Sequence, residues 1–203
     1  MGLSRFPRTR DGGLILTDRE IKIALREELL VISPSPNELA YSSTSVDLTL
    51  DPTLSAFKQP KTGIDIVVDP TQHGFDLDVA LIEFTENQNI DSLNDYDLKP
   101  SRLVLAWTSE FVNLKSHNKL AARVEGKSSL ARLGLGVHVT APTIHAGFAG
   151  RIRLEIVNHG PIPIRLRPGM RIWQLIFEQT LGTPDRGYQG QFLNQKVVRK
   201  AGS

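Results

Sequence analysis

The 203-residue sequence predicts a mainly β fold, a sandwich or barrel with a few short helices, on three observations. Its 16 glycines and 12 prolines are spread through the chain, which is how many turns between short strands punctuate a sequence. Several segments alternate polar and apolar residues, the period of a strand with one buried face. With 40% hydrophobic residues, a chain of this length can bury one sizeable core, so a single domain is expected.

Residues 1–13 lack periodicity and end in Asp11-Gly12-Gly13, and read as an arm before a domain spanning 14–191. Thr17-Asp18-Arg19-Glu20 offers a capping box, with Ile21, Leu25 and Leu29 recurring behind it as the stripe of a short amphipathic helix over one end of the core. Pro34-Ser35-Pro36-Asn37 closes that unit, and Ser45 to Leu50 alternates strictly, as in a half-buried strand. From Lys58 to Asn94 the signals are mixed. A β-prone Ile64-Asp65-Ile66-Val67-Val68 precedes a polar stretch from Thr85 to Asp97, read together as an insertion with loops.

Leu103 to Trp107 resumes a buried strand, Val137 to Val139 gives another, and Ile152/Leu154/Ile156 and Ile162/Ile164/Leu166 each alternate with polar neighbours. Asn158-His159-Gly160-Pro161 is placed to turn between the last two as a hairpin. Arg167-Pro168-Gly169-Met170 makes a further turn into the apolar Ile172 to Phe177. From Gly182 to Ser203 the chain is Gly- and Gln-rich with no apolar period and reads as mobile unless something orders it, residues 192–203 forming the tail beyond the domain.

Composition excludes several chemistries. With no cysteine there is no disulfide, no thiolate nucleophile and no Cys-ligated zinc, so a zinc-hydroxide route to nucleobase deamination is closed. No early apolar run resembles a signal peptide, and no stretch nears the roughly 18 apolar residues of a membrane span, so a soluble cytoplasmic protein with no membrane partner is expected. The net charge of +2 is too small to argue for nucleic acid. Arg151, Arg153, Arg165, Arg167 and Arg171 alternate with apolar residues, as the outer faces of strands or an intersubunit surface do.

Gly126-Lys127-Ser128 resembles the end of a P-loop, but the glycine that loop needs five residues earlier is Ala121. Lys127, Ser128, Ser129 and Arg132 still gather two cations and two hydroxyls in six residues, suited either to a triphosphate or simply to a capped surface helix beginning at Ser128. Glu155 interrupts an apolar strand and faces away from Ile152, Leu154 and Ile156, beside Arg153. Such a carboxylate is solvated unless burial or a partner moves its pKa, and subunit association is one way to bury it. His138 and His145 flank the turn at Thr140-Ala141-Pro142, where a histidine is more often structural than a ligand or base. No spacing resembles a metal site.

Taken in order, Glu125 through Leu135, His138-Val139-Thr140-Ala141, Gly147-Phe148-Ala149-Gly150, Leu154-Glu155, Asn158 and Leu166 through Met170 closely resemble the dCTP deaminase branch of the dUTPase-like superfamily. The helix start at Leu16 to Ile21, the Ser45 to Leu48 strand and Tyr188-Gln189-Gly190-Gln191 extend the resemblance over most of residues 14–191.

That resemblance implies a distorted β-barrel or jelly roll, a homotrimer with active sites between subunits, and zinc-independent hydrolysis of dCTP to dUTP and ammonia. By it, Glu155 is the general base and acid that activates water for attack on C4 of cytosine. Ser128 and Arg132 stabilise the water and the tetrahedral centre, and the Ala141 backbone places the nucleophile. Lys127, Ser129, Tyr188 and Gln191 hold the triphosphate with Mg²⁺, the tail closing over it, and dTTP is a candidate inhibitor. In the wider superfamily a carboxylate after Ile144 serves the sugar, and in dUTPases it activates water. Here that position is His145, which counts against dUTP cleavage as the main activity. Lys127 stands where many members have Arg, and Gly187 where a Lys often precedes the tail tyrosine. Two rivals remain open: a bifunctional enzyme releasing dUMP and pyrophosphate, and a nucleotide-binding trimer without turnover.

Overall fold

The computed structural model describes residues 14–59 and 66–197, so the N-terminal arm, Ile64-Asp65 and the extreme C-terminus lie outside it. The chain runs β1 (Leu14–Ile15), α1 (Asp18–Arg26), β2 (Leu30–Ser33), β3 (Tyr41–Ser42), β4 (Ser45–Thr49), β5 (Thr53–Phe57), α2 (Leu77–Phe84), β6 (Thr85–Asn89) and β7 (Tyr96–Leu98). There follow β8 (Leu103–Leu114), β9 (Leu120–Gly126), α3 (Ser128–Ala131), β10 (Leu135–Gly136), β11 (Thr143–Ile144), β12 (Ala149–Asn158), β13 (Ile164–Leu166) and β14 (Arg171–Gln179).

One sheet has the order β11-β9-β14-β4-β3 with β1 on the far end of β14; the other has β10-β12-β8-β5-β6 with β2 on the far end of β8. β7 and β13 pair separately, and every pairing is antiparallel. Both sheets contribute to one apolar cluster, with Leu48, Trp173 and Phe177 from the first and Val104, Leu154 and Ile156 from the second. A single bridge, Leu50 to Thr108, links them at a corner. Among the described residues neither sheet closes on itself, so of the expected sandwich, barrel or jelly roll the structure shows two antiparallel sheets on one core and no closed barrel.

Other expectations are corrected as well. The strand from Ser45 is buried on both faces: Ser45 and Asp47 are as enclosed as Val46 and Leu48, because the Ser45 hydroxyl donates to Gln174 Oε1 at 2.7 Å and Asp47 pairs with Lys127. The segment read as loops holds α2, capped by Asp76 Oδ1 on the amides of Asp78 and Val79 at 2.9 and 3.1 Å. It also holds β6, whose polar Asn87 and Asn89 reach Ser55 and Thr53 across the ladder. The strand expected at Val137–Val139 is two residues earlier, at β10. The α1 capping box is only half made: Thr17 bonds the Glu20 carboxylate and caps no backbone amide.

No hairpin joins β12 to β13, since β12 lies between β10 and β8 while β13 pairs with β7. Asn158 is spent differently. Fully buried, it donates from Nδ2 to the carbonyls of Leu98 and Ile162, both at 2.9 Å, and accepts from the Gly160 amide at 2.9 Å. It thus satisfies three backbone groups, one at the end of β7 and two in the loop that leads to β13. β14 has a register shift against β4 between Arg171 and Trp173, and the extra residue explains why Ile172 and Trp173 are both buried in succession.

Beyond β14 the chain returns to the start of β12. The Tyr188 amide donates to Ala146 O at 3.0 Å, Asn194 N to Ala149 O at 2.6 Å, and Arg151 N to Gln195 O at 3.1 Å. Gly147 allows this approach: its φ is +92°, and a Cβ there would lie 2.6 Å from Tyr188 N. The arginine cluster is dispersed among partners, Arg151 on Asp51, Arg165 on Asp97, Arg167 on Asp95 and Arg171 on Asn37.

Removing the Asn158 side chain strands all three backbone groups. Asn158→Ala is therefore expected to lower urea-unfolding stability by about 3 kcal/mol, and a loss below about 0.5 kcal/mol would contradict this account of the junction.

Candidate active site

The alternation of β12 builds one wall of a cleft. Ile152, Leu154 and Ile156 enter the core, whereas Arg153 and Glu155 are half-buried on the opposite face. β8 aligns Glu155 with Leu105 and Arg153 with Trp107. Just before Arg153 the register shifts, and the Thr108 hydroxyl fills the gap, accepting from Ile152 N at 2.9 Å and donating to Glu110 O at 2.7 Å.

The cleft is closed on one side by the segment carrying His138, Ala141 and His145, and on another by Leu77, Asp78 and Leu81 of α2. Its remaining side is the returning tail, with Tyr188, Gln191 and Asn194. Of the residues singled out from sequence, Glu155, Ala141, His145, Tyr188 and Gln191 therefore line one cleft. His145 and Tyr188 stack with ring centroids 5.6 Å apart and planes 11° apart, and Tyr188 also packs at a tilt on Phe148. The tail that looked unstructured is ordered by these contacts and by the backbone bonds to Ala146 and Ala149.

Burial raises the Glu155 pKa above its ordinary value because the charged form loses water. A backbone bond from Val139 and the charges of His138 and Arg153 offset this in part. Arg153 is shifted down, also by burial first, with Asp78 and Glu155 opposing, and remains a cation. A carboxyl raised in this way, enclosed beside a guanidinium, is better suited than an exposed one to take a proton and return it.

Lys127, Ser128, Ser129 and Arg132 do not line this cleft. They lie at the end of β9 and on the single turn of α3, where Ser128, Ser129 and Arg132 are exposed. Lys127 is held by an ion pair to the buried Asp47, whose Oδ1 has no hydrogen-bond partner. Gln174 steadies the same loop, bridging Ser45 and the Gly126 carbonyl. A single chain thus presents the carboxylate and the hydroxyl-and-cation loop as two separate surfaces. Among the described residues no group of three or more His, Asp or Glu side chains is gathered as a metal site, and no helix is long and apolar enough to cross a membrane.

Sequence reasoning missed Trp107, Asp78 and α2 as cleft components. Arg153 could have been found, because strand parity puts it on the Glu155 face; α2 had its Asp76 cap as a signal, but its short apolar run has no amphipathic period.

A family model described as dCTP deaminase-like matches residues 15–180. A protein of Methanobrevibacter smithii named dCTP deaminase, dUMP-forming, is 39% identical over 170 residues, covering 84% of this chain and 82% of its own. One of the same name from Methanosphaera stadtmanae is 35% identical over 188 residues, 93% of this chain and 90% of its own. A dCTP deaminase of Shewanella oneidensis is 40% identical over 174 residues, 85% and 88% of the two chains. The crystal structure of 2'-deoxycytidine 5'-triphosphate deaminase from Agrobacterium tumefaciens superposes with a TM-score of 0.63 at 21% identity. It covers 82% of this chain and 48% of that one, a likeness of fold.

The raised Glu155 pKa has a thermodynamic consequence. A carboxyl whose folded pKa exceeds its unfolded value favours folding only when protonated, so its ionisation costs stability as pH rises from about 4.5 through the folded pKa. Glu155→Gln is expected to match the parent in thermal unfolding near pH 4 and to exceed it at pH 8. A lower midpoint than the parent at pH 8 would contradict the burial argument.

Proposed function

The chain belongs to the dCTP deaminase-like family, and from that premise we propose that it hydrolytically deaminates dCTP, with Glu155 moving the protons. The observation that carries this reading is the Glu155 carboxyl, enclosed in a cleft and raised in pKa by burial. As a carboxylate it takes a proton from water as oxygen attacks C4 of cytosine. It returns that proton to N3, then takes a second from the C4 hydroxyl of the tetrahedral centre and passes it to the departing amine, so that the C–N bond breaks, ammonia leaves and the 4-carbonyl forms. The Ala141 backbone, at the cleft wall, positions the water.

Ser128 and Arg132 serve the same reaction only if a second copy brings its α3 to the cleft. The separation of the two surfaces in one chain therefore supports a homotrimer with active sites between subunits. In that assembly Lys127 and Ser129 of one copy, with Tyr188 and Gln191, bind the triphosphate. Mg²⁺ would be held through the phosphate oxygens of the substrate and would neutralise charge there.

For the product, two readings have distinct support. Methanogen relatives named dUMP-forming favour further cleavage to dUMP and pyrophosphate, which is accordingly the expected outcome. His145 favours release of dUTP, since a stacked imidazole is a weaker activator of water beside a polyanion than a carboxylate. dTTP, sharing the sugar and phosphates, is an inhibitor candidate at the same cleft.

Incubation with dCTP and Mg²⁺, resolving dUMP from dUTP and assaying ammonia and pyrophosphate, tests both. Ammonia release establishes the deaminase, pyrophosphate decides the product, and neither product from dCTP would defeat the reading in favour of a nucleotide-binding protein. Glu155→Gln is expected to cut turnover by about 100-fold or more. Mixing inactive Glu155→Gln with inactive Ser128→Ala after joint refolding should restore about a quarter of parental activity if sites form between copies, and none if each chain acts alone.

A further inference from the structure

Arg153 is a cationic side chain beside Glu155 that the proposed chemistry leaves without a task. It projects from the same face of β12, two residues before Glu155, into the same cleft. Its guanidinium lies over the Trp107 ring, 5.1 Å from the centroid, in the register set by the Thr108-filled shift in β8. Among the described residues no carboxylate comes within ion-pairing distance, and its Nε is buried with no hydrogen-bond partner. A buried N–H without an acceptor costs stability, and a cation held against an aromatic face in a cleft points its remaining edge at whatever occupies that space.

Resting on the deaminase reading, we infer that Arg153 is a substrate-binding and specificity-determining residue that donates hydrogen bonds to the C2 carbonyl oxygen of the pyrimidine. The placement follows from the strand. Side chains two residues apart on one face are roughly 7 Å apart at their origins, a span that one pyrimidine ring with its exocyclic groups bridges. With C4 and N3 turned to Glu155, the next acceptor along that edge of the ring is the C2 oxygen. The triphosphate lies beyond the sugar. Trp107 holds the guanidinium at cation–π distance from its ring and so limits the directions its donors can take. The contact recognises a ring with a C2 carbonyl and leaves a purine unmatched.

The test compares the intact protein with Arg153→Met, which keeps an apolar stem over Trp107, and Arg153→Lys, which keeps the charge without the planar fork. Binding of dCTP and of its 2-thio analogue, whose sulfur is a poor acceptor, is measured by calorimetry alongside kcat and KM. The expected result is at least tenfold weaker dCTP binding in Arg153→Met, no rescue by Arg153→Lys, and discrimination between dCTP and the analogue in the parent alone. Trp107 emission should change on binding in the parent, and this change should vanish in Trp107→Phe.

Unaltered dCTP affinity in Arg153→Met, full rescue by lysine, or equal discrimination in parent and Met variant would each overturn the contact. A parent protein that neither binds nor deaminates dCTP defeats the deaminase reading itself, and the contact with it, before Arg153 is changed.

Discussion

The pairing of β12 with β8 is the constraint on which the rest depends. Because side chains alternate along a strand, the same residues that commit Ile152, Leu154 and Ile156 to the core must send Arg153 and Glu155 the other way. The ladder aligns them on Leu105 and Trp107, so the floor of the cleft is fixed by core packing. A slip of one residue would bury two charges and expose three large aliphatic groups, a double cost that holds the register. The catalytic candidate therefore stands on a strand whose register the core holds, while the groups that meet it come from loops, α2 and the tail.

Much of this was legible in the sequence and some was not, for physical reasons. The alternation around Glu155 and the turn before Ile172 are local, and the structure has both. The burial of Ser45 and Asp47 was invisible because it depends on Gln174 and Lys127, more than 75 residues away, neutralising polar groups that parity alone assigns to solvent. Asn158 sits in a sequence that reads as a turn, yet its side chain bonds three backbone groups, one at the end of β7 and two in the loop before β13. β6 is composed of polar residues that pair through side-chain amides, so hydrophobic periodicity could not find it. Of the site, Glu155, Ala141, His145, Tyr188 and Gln191 converge as a resemblance in motif order implied. Lys127, Ser128, Ser129 and Arg132 do not join them, because they sit where the chain leaves β9 of the other sheet and on the exposed turn of α3.

Electrostatics differ between those two surfaces. Around Lys127 a buried carboxylate holds the cation in place, so the loop is set before any anion arrives. Around Glu155 the reverse holds: water is withdrawn and the nearest guanidinium is engaged with an aromatic ring, leaving the carboxyl partly uncompensated. One surface is organised to hold charge and the other to exchange a proton.

The return of the tail through the narrow contact between Gly147 and Tyr188 gives the cleft a wall carried by the same chain. A segment tethered beside the cavity it lines stands there at a fixed effective concentration, whatever the amount of protein present. The apparent affinity for any outside molecule is then its intrinsic affinity scaled by the fraction of chains whose tail stands in the receptive position. Substitutions far from the reacting atoms, in the turn that carries Gly147 or in the last residues before Lys196, would thereby retune affinity without touching the carboxyl that does the chemistry.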